Sequence, residues 1–228
     1  INSNPTFVGF CFPHICSYIP LMKKILLILF VTGACFGQTY DQIEKTYDNG
    51  FPKVIKTYKV SKDKMELVKV IEWHENGQKS SEGIYKDGER DGLWTEWDEN
   101  GQIKQEENYK DGKLDGLSIL WRDNGQKELE ENYKNGKLEG KSTHWYENGQ
   151  KRWVGTLKDG EKDGKSTVWD KNGEKFSEQN YKEGELDGRW TKGDWNGQKE
   201  WEKTVRGGEF IAAKCWDWNG NETDCYQP

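Results

Sequence analysis

The sequence predicts an all-β protein, an elongated open antiparallel meander of about seven two-stranded repeats. Asn-Gly pairs recur every 24 residues, aromatic residues recur in register with them, and no helical periodicity interrupts the pattern after residue 37. A fixed period of this size is typical of repeat proteins, in which each unit packs on its neighbours. The six regularly spaced pairs are Asn76-Gly77, Asn100-Gly101, Asn124-Gly125, Asn148-Gly149, Asn172-Gly173 and Asn196-Gly197.

Each Asn-Gly pair predicts a hairpin turn, and the type of turn decides where the aromatic side chains point. A plain two-residue turn needs a positive φ angle at both positions and would place Trp97 and Tyr109 on opposite faces of the sheet. A type I turn followed by a glycine bulge shifts the pairing by one residue and would place them together. We favour the bulge, because burying both sets of rings on one face makes better use of few apolar residues.

One unit, read from Asn124, runs NGQKELEENYKNGKLEGKSTHWYE. It predicts strands at 126–134 and 141–147, joined by a second turn at 135–140 that contains two glycines. Glycine with Asp or Asn favours a tight reversal of the chain, because these residues tolerate left-handed backbone geometry. Each repeat is therefore expected to supply two strands of about seven residues.

Aromatic residues form two periodic sets. The first stands three residues before the asparagines, with Gly193 at the expected place in one unit; it comprises Trp73, Trp97, Trp121, Trp145, Trp169 and Trp216. The second comprises Tyr85, Tyr109, Tyr133 and Tyr181, with Leu157 and Val205 at the remaining places. Aromatic rings bury large areas, so we expect both sets to be structural ladders. The tryptophans outside the ladder are the candidate binding surface: Trp94, Trp153, Trp190, Trp201 and Trp218.

The first 37 residues share nothing with the repeats. Met22 to Gly37 has a basic start, a short apolar run and small residues at its end, which predicts a secretory signal peptide. Residues 1–21 are then upstream sequence from a mis-assigned start. We expect a periplasmic, cell-surface or secreted protein with no integral membrane span after cleavage. A lipoprotein cut before Cys35 is the alternative.

The rest divides into three parts. Residues 38–75 predict an irregular N-terminal repeat or cap, 76–204 the regular repeats, and 205–228 a C-terminal cap. Cys215 and Cys225 are an even pair in a chain expected to be exported, which predicts a disulfide. Caps are expected because the first and last strands of an open sheet expose unpaired backbone.

Charge and residue inventory exclude several classes of function. Loss of Lys23 and Lys24 with the signal peptide would change the net charge from −6 to −8, which argues against nucleic acid as a partner. His74 and His144 occupy non-equivalent places, and no catalytic or metal-binding motif is present. We therefore expect neither enzymatic activity nor a cofactor. Paired carboxylates in the second turns offer a weaker alternative, a calcium ladder, at Asp87 with Asp91 and Asp111 with Asp115.

Strings such as YKDGKLDG (109–116), WYENGQK (145–151) and YKEGELDG (181–188) resemble the variant form of the MORN repeat. That form occurs in bacterial proteins of the YwqK antitoxin type, and the resemblance covers about residues 45–225. It implies protein–protein or membrane-associated interactions. Together with the signal peptide, it favours an exported scaffold that binds a protein partner at the cell envelope. The alternatives are an envelope-glycan-binding module, or an antitoxin-like inhibitor if the chain is not exported.

Overall fold

The structure of the chain, a computed structural model, describes residues 38–61, 64–194 and 196–225. The upstream extension and signal peptide predicted within residues 1–37 lie outside the described residues. The described part forms one antiparallel sheet whose 16 strands follow chain order. The predicted all-β open meander is confirmed. The strands are β1 Thr39–Thr46, β2 Pro52–Val60, β3 Met65–Trp73, β4 Lys79–Lys86, β5 Glu89–Trp97, β6 Ile103–Lys110, β7 Lys113–Trp121, β8 Lys127–Lys134, β9 Lys137–Trp145, β10 Lys151–Lys158, β11 Glu161–Trp169, β12 Lys175–Lys182, β13 Glu185–Gly193, β14 Lys199–Arg206, β15 Glu209–Trp216 and β16 Glu222–Thr223.

The two ends belong to the same sheet. β1, β2 and β3 pair in order and join β4 directly. At the other end, β16 pairs with β15 only at Cys215 and Trp216, and a disulfide joins Cys215 to Cys225. The pairing of β14 with β15 shifts by one residue at Ile211, a bulge in the last long strand. Bulges and short edge strands hinder pairing with another sheet, so this end is blunted.

The Asn-Gly turn has the geometry that we favoured. In the turn between β5 and β6, the Gly101 N–H donates to the Asp98 carbonyl oxygen at 3.0 Å, and the Asp98 N–H donates to that of Gln102 at 2.9 Å. Gly101 has a φ of 81°, whereas neither Asn100 nor the asparagine at the equivalent place of another regularly spaced Asn-Gly pair has a positive φ in the described residues. This is a type I turn closed by a glycine bulge.

The second turn is shorter than expected. Asn135 (φ 51°) and Gly136 (φ 82°) alone form it, as a two-residue type I′ turn, and Lys134 pairs with Lys137 across it. The predicted turn at 135–140 is therefore wrong, because 137–140 already belong to β9. Gly140 adopts a φ of 93° at an irregularity inside the strand pairing. The strands reach eight and nine residues for the same reason.

The two aromatic ladders lie on opposite faces, so the shared face that we expected is wrong. Beyond the Gly101 bulge, Trp97 pairs with Ile103 but Glu96 pairs with Gln105, so Lys104 is a second extra residue. The second bulge cancels the shift made by the first. Directly opposed residues share a face and successive residues alternate. Tyr109 therefore shares its face with Trp94, which pairs with Glu107, and not with Trp97.

Candidate functional site

We call the face that carries Trp73, Trp97, Trp121, Trp145 and Trp169 the ladder face. All five rings are half-buried. Lysines from the preceding repeat lie over several rings of the series: the Lys79 Nζ is 5.8 Å from the centre of the Trp97 ring, and the Lys199 Nζ is 4.7 Å from that of Trp216. These cation–π contacts tie one repeat to the next.

Ion pairs cover much of the remaining ladder face. Glu82, Glu178 and Glu202 each contact the lysine three residues before them, and Glu82 and Glu178 contact a second lysine as well. The hydrogen bond from Lys199 lowers the pKa of the Glu202 carboxyl. These three carboxylates are thus neutralised within the sheet, and the lysine stems shield the rings. The arrangement is suited to holding repeats together.

We call the opposite face, which carries Tyr85, Tyr109, Tyr133 and Tyr181, the tyrosine face. Two of its glutamates have neutral partners: the Tyr109 hydroxyl donates to Glu107 and that of Tyr133 to Glu131, each at 2.7 Å. Burial, reinforced by Glu131, raises the pKa of the Tyr133 hydroxyl. Burial also lowers the pKa of His144, whose Nε2 lies 3.8 Å from the Glu131 carboxylate. Sequence reasoning missed these pairs, although the recurring Glu-x-Tyr spacing was visible.

Trp94 is not a free binding residue, contrary to the sequence-based expectation. Its side chain is only 6% exposed, because the indole lies over Gly83 on the neighbouring strand. A Cβ at Gly83 would lie 1.7 Å from the Trp94 ring. The Arg90 guanidinium covers the ring at 3.9 Å and donates to the Tyr109 hydroxyl at 3.1 Å. Trp94 is therefore part of the core.

Trp153 is half-buried and borders a cavity. Its Nε1–H donates to the Ser166 Oγ at 2.8 Å, and its ring meets that of His144 edge-on at 4.8 Å. Gly155 makes room for the indole as Gly83 does for Trp94. A cavity of about 470 Å³ beside the ring is lined mainly by apolar side chains and the stems of cations: Leu138, Ser142, His144, Arg152, Trp153, Leu157, Lys162 and Val168.

Trp190 and Trp201 form a half-buried pair on the tyrosine face near its C-terminal end. Their rings meet edge-on with centres 4.8 Å apart, a favourable aromatic geometry. The Lys203 Nζ lies 5.6 Å from the Trp190 ring and 4.7 Å from the Trp201 ring. Trp218, in the last Asn-Gly turn, is separate from this group and is 84% exposed. The structure thus brings together only part of the predicted binding set.

The second histidine and the turn carboxylates have structural contacts. The His74 Nε2 lies 3.0 Å from the Trp97 carbonyl oxygen. Three repeats further on, the Tyr146 hydroxyl makes the same contact with the Trp169 carbonyl oxygen. Asp91 and Asp115 accept backbone N–H groups from the next repeat. A carboxylate used in this way is less available to calcium. In the described part of the chain, no group of three or more His, Cys, Asp or Glu is arranged to hold a metal ion.

The Asn-Gly turns are capped in two ways. In turns that begin with Asp98, Asp170, Asp194 or Asp217, the aspartate accepts the N–H groups two and four residues later. In turns that begin with Tyr47, His74, Arg122 or Tyr146, the asparagine caps the turn and the first side chain contacts a tryptophan carbonyl of the next repeat. The hydrogen bond from the Gln102 N–H lowers the pKa of the Asp98 carboxyl.

The fold and its two aromatic faces define an open, single-layer β-repeat protein. The family model described as "MORN repeat variant" matches five segments of the chain, at residues 68–87, 90–111, 114–135, 138–152 and 162–183. The chain therefore belongs to the MORN repeat variant family. Such repeats mark a scaffold for protein or membrane interaction. Comparison with curated proteins found no match. Across the residues that the structure describes, no helix has the length and apolar character needed to cross a bilayer.

Proposed function

We propose that the chain is an exported, non-enzymatic scaffold that mediates protein–protein interaction at the bacterial cell envelope. The observation that supports this most strongly is the single layer: the described residues form one sheet, and no other described element packs on either face. A sheet usually buries at least one face against a second layer. Here both faces keep half-exposed rings, which leaves room for a partner to supply that layer.

The C-terminal part of the tyrosine face is the binding surface that we favour. Trp153, Trp190 and Trp201 lie there with the cations Lys162 and Lys203 close to their rings. Tryptophan is enriched among the residues that dominate binding energy. Trp94 belongs to the same face but is sealed by Arg90, so the contact surface begins beyond it.

Location is the first test, because it decides which partners the chain meets. We expect the mature protein to fractionate with the envelope or medium and to begin near Gln38, after the signal sequence. N-terminal sequencing of the protein from its native host measures this. A chain that stays in the cytoplasm and begins at Met22 or earlier would contradict export and would favour the antitoxin-like alternative.

Binding is tested by a photo-reactive amino acid placed in cells at Lys203, on the tyrosine face, and in a matched experiment at Lys165, on the ladder face. We expect a discrete cross-linked species from position 203 and not from 165. Trp201→Ala should abolish it, whereas Leu117→Ala, an apolar truncation on the ladder face, should not. Equal cross-linking from both positions would contradict the assigned surface.

An envelope glycan is the second candidate ligand, and the cavity beside Trp153 favours it. A tryptophan at the edge of a cavity of this size can stack on a sugar ring while neighbouring polar groups bind hydroxyls. Envelope polysaccharides titrated into the protein should then change tryptophan fluorescence in the parent and not in Trp153→Ala. No response in the parent across a panel of such polysaccharides would exclude this candidate.

A further inference from the structure

Three of the Asn-Gly turns have the same local sequence and different caps. Residues 75–78, 99–102 and 147–150 all read ENGQ, so Asn76, Asn100 and Asn148 share their nearest neighbours. The residue before each tetrapeptide differs: His74, Asp98 or Tyr146. The residue after it is Lys79, Ile103 or Lys151, so any difference in the chemistry of these asparagines must come from the folded structure or from residues outside the tetrapeptide.

Asn76 and Asn148 are held at both ends of the side-chain amide. The Asn148 Oδ1 accepts the Gln150 N–H at 3.1 Å, and its Nδ2 donates to the Lys171 carbonyl oxygen of the next repeat at 2.7 Å. Asn76 makes the same two bonds, to the Gln78 N–H at 3.0 Å and to the Glu99 carbonyl oxygen at 2.6 Å. Reorienting either amide breaks two hydrogen bonds.

Asn100 lacks both of these bonds. In the turn that contains Asn100, the Asp98 Oδ1 accepts the hydrogen bond from the Gln102 N–H at 2.8 Å. In the other two turns, the asparagine Oδ1 accepts the bond from the equivalent N–H. Within the described chain, the Asn100 side chain makes no hydrogen bond to a neighbouring repeat, and only its backbone N–H is bonded in the turn, to the Asp98 Oδ1 at 2.8 Å. One protection is common to all three: the N–H groups of Gly77, Gly101 and Gly149 each donate to the first residue of the turn at 3.0 Å. Because all three turns have this bond, it does not contribute to the expected difference in deamidation rate.

We propose that Asn100 is a site of spontaneous deamidation, and that it is converted well before Asn76 and Asn148. The Gly101 backbone nitrogen, after losing its proton to solvent, attacks the Asn100 Cγ. The bond from Cγ to Nδ2 breaks, and the amide group leaves as ammonia after gaining a proton from water. A second water molecule then opens the cyclic imide, at one carbonyl to give aspartate and at the other to give isoaspartate. Isoaspartate lengthens the turn backbone by one carbon and adds one negative charge.

The two extra hydrogen bonds set the expected difference. Each such bond contributes on the order of 0.5–1.5 kcal/mol, and attack requires the amide to rotate free of both, so Asn100 should react at least about fivefold faster. The Asp98 carboxylate opposes loss of the Gly101 proton, but its exposed charge is screened by salt.

The folded protein, incubated at mildly alkaline pH and sampled over time, tests this by peptide mapping with mass spectrometry. We expect aspartate and isoaspartate to accumulate in the peptide with Asn100 before they accumulate in the peptides with Asn76 and Asn148. The same protein in denaturant is the control, because there the three identical tetrapeptides should react at similar rates. Equal rates in the folded protein, or faster reaction at Asn148, would overturn the proposal.

A reciprocal exchange of caps assigns the effect to the turn. Asp98→Tyr gives the turn of Asn100 the first residue of the Asn148 turn, and we expect it to slow deamidation at Asn100. Tyr146→Asp should accelerate it at Asn148. The circular dichroism of both variants should match that of the parent. If peptide mapping then shows the parent's deamidation rates at Asn100 and Asn148 in these variants, the cap does not cause the difference.

Discussion

Trp94 and Trp97 lie three residues apart in β5 and have opposite environments. Trp94, on the tyrosine face, is 6% exposed and lies over a glycine, beneath an arginine. Trp97, on the ladder face, is half-buried beside a lysine. On the ladder face, most units have the same arrangement of a tryptophan ring, a lysine and a glutamate that forms an ion pair. The tyrosine face changes from repeat to repeat, and its half-buried tryptophans among the described residues, Trp153, Trp190 and Trp201, lie beyond the middle of the sheet.

The largest expected effect on stability is a difference between truncating Trp94 and truncating Trp97. Trp94→Ala should lower the free energy of unfolding by about 3–5 kcal/mol, because it empties a fully buried site. Trp97→Ala should cost roughly 1–2 kcal/mol, because half of its ring already faces water. Urea unfolding followed by far-ultraviolet circular dichroism measures both. An equal or larger loss for Trp97→Ala would make the ladder face the main core and reverse the comparison.

The close approach at Gly83 gives the next effect. Gly83→Ala should lower the free energy of unfolding by about 1–3 kcal/mol, because the added methyl group overlaps the Trp94 ring. In the Trp94→Ala background the same change should cost much less, since the ring is gone. The double-mutant cycle in urea measures this coupling. Additive losses would show that the glycine is needed for another reason.

A smaller effect is expected from the lysines of the ladder face. Lys127 lies over Trp145 and contacts Glu130. Lys127→Ala should cost about 0.5–1 kcal/mol, the range for an exposed cation–π contact. Lys127→Arg keeps the charge and should recover most of the loss, and thermal unfolding of the three proteins compares them. A loss well beyond this range would show that the lysine does more than cover the ring.

The faces should also respond to acid at different pH, which is the smallest effect expected. The pKa of His144 is lowered by burial from its ordinary value of 6.5, so the unfolded chain binds the proton more readily and stability falls as pH drops below about 6.5. The pKa of Glu202 is lowered from 4.5 by Lys199, so its contribution is present above that value and is lost as pH falls through the folded pKa.

Stability measured against pH in the parent, in His144→Gln and in Glu202→Gln checks these assignments. His144→Gln should remove the loss that begins near pH 6.5, and Glu202→Gln should weaken the later one. A parent profile that is unchanged in His144→Gln would remove the histidine as the cause.

Local chemistry made much of the molecule predictable. The turns at the Asn-Gly pairs, the all-β meander and the disulfide between Cys215 and Cys225 were all predicted from residue type and spacing. The prediction of a six-residue second turn was wrong. Gly140 has the residue type of a turn, but it lies at an irregularity in the pairing of β8 with β9. The exposure of Trp94 was wrong because its partner, Gly83, lies on the neighbouring strand and is recognised only once the register is known.

The sequence by itself determined the period, the strand order and the places of the turns, since each depends on residues close together in the chain. Only the tertiary structure decided which face each aromatic ladder occupies. The physical reason is the two-residue period of a strand, in which a shift of one residue moves a side chain to the other face. The Gly101 bulge makes one such shift and the extra residue Lys104 reverses it. The second bulge, which carries no signal in the sequence, separates the structural ladder from the rings that remain free to bind.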